Sequence, residues 1–276
     1  NVPFLGEIPY YVSRKNRPTL EQRIRFWKKP KEVRQMVVKA GKRDIVNEAF
    51  RVLRTNFEFT IGTHPEQNVI VFTSFNPGSG KSHLAANMAM SLAIKKKKVL
   101  LIDGDLRHGS TSMVINSPGE GLSDYLNGRV ADIHDILYKG EENGLVKYFD
   151  VIPIGTIPPN PTELLFTPLL EQMIKTMRQE YDYVFIDCPP IEVVADTPIY
   201  EQFADRTIFV VRSGLMERSM LPEIDALYKE KKFKNMSLIL NGTKARGGRY
   251  GSHYGYGYGY GYGYNYNKEK SGGAKS

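Results

Sequence analysis

Six short apolar runs, rich in β-branched residues, recur along the chain between charged or glycine- and proline-bearing stretches. They are "NVIVFTS" (Asn68 to Ser74), "KVLLIDGD" (Lys98 to Asp105), "YFDVIPIG" (Tyr148 to Gly155), "YVFIDCPP" (Tyr183 to Pro190), "RTIFVVR" (Arg206 to Arg212) and "MSLILNG" (Met236 to Gly242). Their apolar positions are consecutive rather than alternating, which predicts strands buried on both faces. Helical patterns separate most of them. "NEAFRVLRTNFEFTI" (Asn47 to Ile61) puts Phe50, Leu53, Phe57 and Ile61 on one helical face. "KSHLAANMAMSLAI" (Lys81 to Ile94) is alanine-rich, with little to oppose a helix. "LLFTPLLEQMIKTMRQEY" (Leu164 to Tyr181) predicts a helix with a break near Pro168. Strands alternating with helices predict an α/β fold, a mostly parallel sheet with helices on both faces. Ligands in such a fold bind at the carboxyl ends of the strands.

The two ends of the chain lack this pattern. Residues 1–45 carry Pro3, Pro9, Pro18 and Pro30 among basic residues, which predicts a flexible arm with one short helix around Leu20 to Lys28. Residues 244–276 hold Tyr250, Tyr254, Tyr256, Tyr258, Tyr260, Tyr262, Tyr264 and Tyr266, mostly alternating with glycine. Glycine at every second position maximises the entropy lost on ordering, so a disordered tail is predicted. The division is therefore an arm over 1–45, a folded domain over 46–243 and a tail over 244–276. Charge follows the same division. Of a net +8, residues 1–43 carry +9 and residues 244–276 carry +5, leaving −6 between them. Basic flanks around a mildly acidic domain suit an anionic surface, lipid headgroups or nucleic acid. The lone Cys188 excludes a disulfide framework and a cysteine-rich metal site, and is compatible with a reducing cytoplasm. No run approaches 18 consecutive apolar residues, and no signal peptide is visible. Opening on Asn1 rather than Met suggests a piece of something longer.

The chemistry concentrates after the first long apolar run. "SFNPGSGKSH" (Ser74 to His83) links it to the alanine-rich helix, and Gly78-Ser79-Gly80-Lys81-Ser82 matches the second half of a phosphate-binding loop. Glycines let backbone N–H groups converge on phosphate oxygens, and the helix start adds its positive dipole end. The loop and helix start, Gly78 to His83, are the expected phosphate cradle. Lys81 reaches the β- and γ-phosphates and Ser82 holds Mg²⁺. The usual first glycine falls at Phe75, a departure from the motif. Two further runs end in carboxylates, Asp103 and Asp105 in one and Asp187 in the other. Such ends share one edge of a parallel sheet, where carboxylates serve Mg²⁺ and an attacking hydroxyl.

With these residues in place, the chain resembles the bacterial tyrosine kinases of the P-loop type, the cytoplasmic domains of polysaccharide co-polymerases. "FNPGSGKS" resembles their Walker A, "VLLIDGDLR" (Val99 to Arg107) their Walker A′, and "VFIDCPP" their Walker B. "EAFRVLR" (Glu48 to Arg54) is similar to their E-x-x-R-x-x-R self-association helix at Glu48, Arg51 and Arg54. "VPFLGEIP" (Val2 to Pro9) is similar to the segment after their second transmembrane helix, and their chains too end in a tyrosine cluster. The resemblance implies a P-loop NTPase fold and MgATP on Lys81 and Ser82. It implies Mg²⁺ organised by Asp187 and one aspartate of the D-x-D, with the other receiving the tyrosine proton. Spacing leaves that choice open; Asp103, nearest the strand end, is the favoured base. Asn241 is similar to the asparagine that reads adenine in related ATPases, and equally reads as a loop asparagine before Gly242. Function follows by implication: autophosphorylation of the tail, in trans within a homo-oligomeric ring. The setting would be the cytoplasmic face of the inner membrane, joined to a membrane-spanning portion of the same polypeptide or a partner. A phosphatase would reverse the modification, exopolysaccharide or capsule synthesis and export would be regulated, and no nucleic acid is expected.

Two alternatives share the motifs. A partitioning or MinD-like ATPase, bound to membrane or DNA without kinase activity, would carry a lysine five residues before Lys81, where this chain has Asn76. A non-catalytic scaffold would not need Lys81, Ser82 and three aspartates intact. The three charges of the Glu48 helix also read as a solvated face. The Lys95 to Lys98 run reads as a solvated helix end.

Overall fold

The computed structural model describes residues 2–10, 36–62, 64, 66–115, 119–193 and 196–244. By internal contacts the chain divides into Asn1–Lys244 and Ala245–Ser276. The predicted helix around Leu20 to Lys28 and the eight tail tyrosines lie outside the described residues.

Seven strands form one sheet, in the order β1-β7-β6-β2-β5-β3-β4, and every pairing between them is parallel. They are β1 (Phe4–Pro9), β2 (Val69–Thr73), β3 (Val99–Asp103), β4 (Phe149–Ile152), β5 (Tyr183–Asp187), β6 (Arg206–Arg212) and β7 (Ser237–Thr243). All six predicted strands are present, within a few residues at each end. The seventh, β1, corrects the arm reading for its first residues: Phe4–Pro9 is an edge strand beside β7, with Leu5 and Ile8 buried.

The continuous apolar runs are buried on both faces, as their pattern requires. Along β2, Ile70 and Phe72 enter one core, and Val69 and Val71 enter the other. The first core is closed by α1 (Ile45–Ile61) and α2 (Lys81–Ala93). In α1, Asp44 caps the start by accepting from Asn47 N at 2.9 Å. Gly62, at φ 56°, ends the helix with its N–H on the Glu58 carbonyl. The predicted stripe Phe50, Leu53, Phe57, Ile61 is fully inward. Phe57 meets Phe185 edge-on at 5.8 Å. Each such side chain contributes roughly 1.5–3 kcal/mol, an upper figure since unfolded chains are partly collapsed. Helix α2 is buried along nearly its whole length, which its alanines permit. Its Asn87 accepts from Val37 N and Val38 N at 2.9 and 3.0 Å, fixing the chain that enters α1.

The second face carries the short helices α3 (Leu122–Leu126), α4 (Pro161–Leu164) and α6 (Thr197–Glu201), with the longer α5 (Pro168–Glu180). The predicted break near Pro168 separates α4 from α5. Helix α7 (Leu221–Lys229) closes a third cluster around Phe209, Ile224 and Phe233. Among the described residues no helix is long and apolar enough to cross a membrane.

Candidate active site

The carboxyl ends of β2, β5 and β3, neighbours in the sheet, bring together the loop after β2 and the strand-end aspartates. Gly78 and Gly80 sit at φ 77° and 88°, left-handed conformations that favour glycine. Gly80 immediately precedes α2 and supplies no side-chain cap, so the first N–H groups of the helix stay open to an anion. A Cβ on Gly80 would lie 2.3 Å from the Asn241 amide. The loop is held from outside: Asn241 Nδ2 donates to Ser79 O at 2.8 Å, and Arg212 Nη1 donates to Gly78 O at 2.7 Å. Within it, the Ser79 and Ser74 hydroxyls donate to the Asn76 carbonyl at 2.7 and 3.0 Å. Phe75, where the motif has its first glycine, needs no left-handed backbone; its ring packs edge-on against Phe209 at 5.2 Å. Asn76 donates to Glu192 at 2.7 Å.

Lys81 is nearly buried, with its Nζ 4.0 Å from Asp187 Oδ1. Asp187 and Asp103 sit directly opposite each other in the β3–β5 register, and both are fully buried. Asp187 Oδ2 accepts from Thr111 Oγ1 at 2.6 Å. Asp103 Oδ2 accepts three donors: Thr111 N at 2.9 Å, Ser112 N at 2.7 Å and Ser112 Oγ at 2.8 Å. The other oxygen of each, Asp103 Oδ1 and Asp187 Oδ1, is buried without a hydrogen-bond partner. Burial first, then the neighbouring Asp187 charge, pushes the Asp103 carboxyl up to about 7, against the pull of the Ser112 donors. Asp105 lies one residue beyond Gly104, with Oδ1 3.3 Å from both Arg107 N and His108 Nδ1.

Two unpartnered buried carboxylate oxygens beside a lysine and an open helix N-terminus fit a phosphate-bound cation. Ser82 and Asp187, with one aspartate of the D-x-D, are the residues that would hold Mg²⁺. Among the described residues no three His, Cys, Asp or Glu side chains converge as a metal cage. Mg²⁺ shared with phosphate and water needs none.

Not every sequence-predicted residue sits as read. Asn241 spends its amide on the phosphate loop, so the structure gives it a supporting contact there. The His83 ring nitrogens lie 3.3 and 3.4 Å from Asn87 Nδ2, within α2. On α1, Glu48 and Arg51 pair with each other at the surface. Arg54 does not join them: its side chain is only 11% exposed and donates to Ser91 O at 2.7 Å, on α2. The charged side of α1 therefore keeps Glu48 and Arg51 at the surface, where Arg51 also donates to Lys42 O at 2.7 Å, and turns Arg54 inward. Sequence reading missed Thr111, Ser112 and Arg212. The only local signal for the first two is the hydroxyl-rich "STS" closely following the D-x-D.

Comparison with known proteins decides the family. The AAA domain family matches residues 67–216, more than half the chain. Tyrosine-protein kinase CpsD of Streptococcus agalactiae is 33% identical over 208 residues, covering 75% of this chain and 87% of that protein. The chain belongs to the bacterial P-loop tyrosine kinases. The kinase domain of Escherichia coli tyrosine kinase ETK superposes with a TM-score of 0.75 at 27% identity, over 93% of this chain and 95% of that one. A tyrosine kinase "in cps region" of Klebsiella pneumoniae, named putative, is 36% identical over 72% of this chain. The chain spans only 26% of that relative, and 26% of AmsA of Erwinia amylovora, a tyrosine-protein kinase also named putative. MinD of Pyrococcus horikoshii, complexed with Mg-ADP, shares the fold more distantly, with a TM-score of 0.52 over 67% of this chain.

Proposed function

We propose that this kinase transfers the γ-phosphoryl group of ATP to its own tail tyrosines, Tyr250 to Tyr266. The paired Asp103 and Asp187, each with one buried oxygen free of hydrogen bonds, and Lys81 beside Asp187 carry the reading. In the reaction the bond from the γ-phosphorus to the ADP oxygen breaks and one to the phenol oxygen forms. The phenol proton passes to Asp103, whose affinity for protons near neutral pH suits a general base. Gly78, Ser79, Gly80 and Ser82 cradle the phosphates with the α2 N-terminus, and Lys81 neutralises developing charge. Ser82, Asp187 and Asp105 would hold Mg²⁺, which would supply further charge neutralisation at the phosphates. Asn241 supports the loop under the nucleotide.

The tail delivers many phenols at high local concentration. Transfer runs in trans within a homo-oligomeric ring, supported by the exposed Glu48 and half-buried Arg51 of α1, which also presents Val52 and Phe59 to solvent. The relative named for a cps region supports a role in capsule or exopolysaccharide synthesis. The basic segments support work at the cytoplasmic membrane face, beside a membrane-spanning portion or partner, with a phosphatase to reset the tail. No nucleic-acid partner is needed. The test is an anti-phosphotyrosine assay of the wild type and Lys81→Met with MgATP. Signal in the wild type alone is expected. ATP hydrolysis with no phosphotyrosine in the wild type would replace the kinase reading with the MinD-like one.

A further inference from the structure

We infer that Asp196 and Thr162 are positioning residues for phosphoryl transfer: through Arg107 they fix the Asp105 carboxylate at the edge where the acceptor phenol reacts. The inference rests on the reading of that edge given above. Arg107 follows β3, Thr162 lies in α4 beyond β4, and Asp196 lies beyond β5. Three post-strand segments thus meet in one closed triangle. Arg107 Nη1 donates to Asp196 Oδ2, and Arg107 Nη2 donates to Thr162 Oγ1 at 2.8 Å. Thr162 Oγ1 in turn donates to Asp196 Oδ1 at 2.8 Å. Both Asp196 oxygens are used, and the residue is 0% exposed. A carboxylate so placed needs its cation, and the planar guanidinium fork is what lets one arginine serve two partners.

The triangle matters because of what lies two residues away. Between Asp103 and Asp105, Gly104 is already immobile. Its N–H donates to Asp187 O at 2.9 Å, and Tyr200 donates to its carbonyl at 3.2 Å. A Cβ there would lie 3.1 Å from the Asp187 carbonyl and from the Tyr200 ring. Asp103 is itself locked by Thr111 and Ser112. Asp105 is held more loosely, by contacts of 3.3 Å, one of them to the backbone N–H of Arg107. Its remaining freedom is set by where Arg107 is pinned. Releasing that pin would leave the nucleotide cradle on β2 and α2 unchanged and let the D-x-D carboxylate drift.

Such drift should separate transfer to tyrosine from turnover of ATP. Thr162→Val keeps the side-chain shape and removes both hydroxyl contacts; Thr162→Ser keeps the hydroxyl. We expect Thr162→Val to lower kcat for phosphotyrosine formation roughly 10- to 10²-fold, the scale of a small misplacement at a reacting centre. KM for MgATP should stay within about twofold, phosphotyrosine formed per ATP consumed should fall, and Thr162→Ser should restore both. Asp196→Asn should act in the same direction; if it does not fold, the Thr162 pair decides alone. Wild-type kcat in Thr162→Val would overturn the inference. So would equal losses of transfer and hydrolysis that match the unfolded fraction seen by circular dichroism. A wild type that consumes ATP and makes no phosphotyrosine overturns the kinase reading and the inference with it.

Discussion

Asp103 carries the sharpest residue-scale consequence. Its proton affinity is raised in the folded state, because burial and the Asp187 charge disfavour the carboxylate. Folding therefore takes up a proton between the ordinary aspartate range and about pH 7. Below pH 4 both states are protonated and the group costs nothing. As pH rises towards 7 the penalty grows, and above that it stays constant. The nucleotide-free, Mg²⁺-free protein should thus lose stability from this group between about pH 4 and pH 7. Asp103→Asn should flatten that loss and raise the melting temperature at pH 8. The same substitution should lower phosphotyrosine formation by about 10²-fold with ATP binding retained. Calorimetry across pH and a kinetic assay check the two halves. Normal transfer in Asp103→Asn would move the base role to Asp105. Little of this environment can be read from the D-x-D itself. The D-x-D spelling locates two carboxylates, but Thr111, Ser112 and Asp187 decide how much of each oxygen is left over.

At the scale of elements, α1 divides its charges between two tasks. Arg54 bridges to the backbone and hydroxyl of Ser91 on α2 while its Nε stays buried without a hydrogen-bond partner. Arg54→Ala should cost about 1–3 kcal/mol of stability, measured by urea unfolding, through the lost charged hydrogen bonds. Arg51→Ala should cost under about 1 kcal/mol, since both its partners, Glu48 and the Lys42 carbonyl, lie at the surface. If α1 faces a neighbour in the ring, Arg51→Ala should still shift sedimentation towards smaller species. Arg54→Ala alone cannot report on assembly, because it also loosens the monomer. The helix and its buried stripe were legible from periodicity; this division was not, since i, i+3, i+6 spacing fixes a side and not its partner. Strand β1 escaped for a related reason. "FLGEIP" is short, interrupted by glycine and ended by proline, and only pairing with β7 makes it a strand. The inner strands needed no partner to be recognised, because consecutive burial left its mark in each run.

For the whole molecule, sheet order turns separate motifs into one site. β2 lies between β6 and β5, and β5 touches β3, so the phosphate loop, Asp187 and Asp103 become neighbours from three distant stretches of chain. The glycine loop and the aspartates could be read from spelling. Their supports Arg212, Thr162 and Asp196 could not, because one ends β6 and the others come from separate segments after β4 and β5. Transfer in trans predicts that a Lys81→Met protein with an intact tail becomes phosphorylated by an active protein truncated after Arg249. A rate per molecule independent of dilution would instead make transfer intramolecular. Each phosphate adds about −1.5 to −2 charges to a tail segment whose net charge is +5. Extensive modification should therefore repel the tail from the acidic edge and favour disassembly. The most direct measurement is intact-mass and peptide mapping of the wild-type protein after incubation with MgATP. The account predicts several phosphates per chain, on tyrosines between Tyr250 and Tyr266, and none in Lys81→Met. Consumption of ATP with an unmodified chain would contradict it.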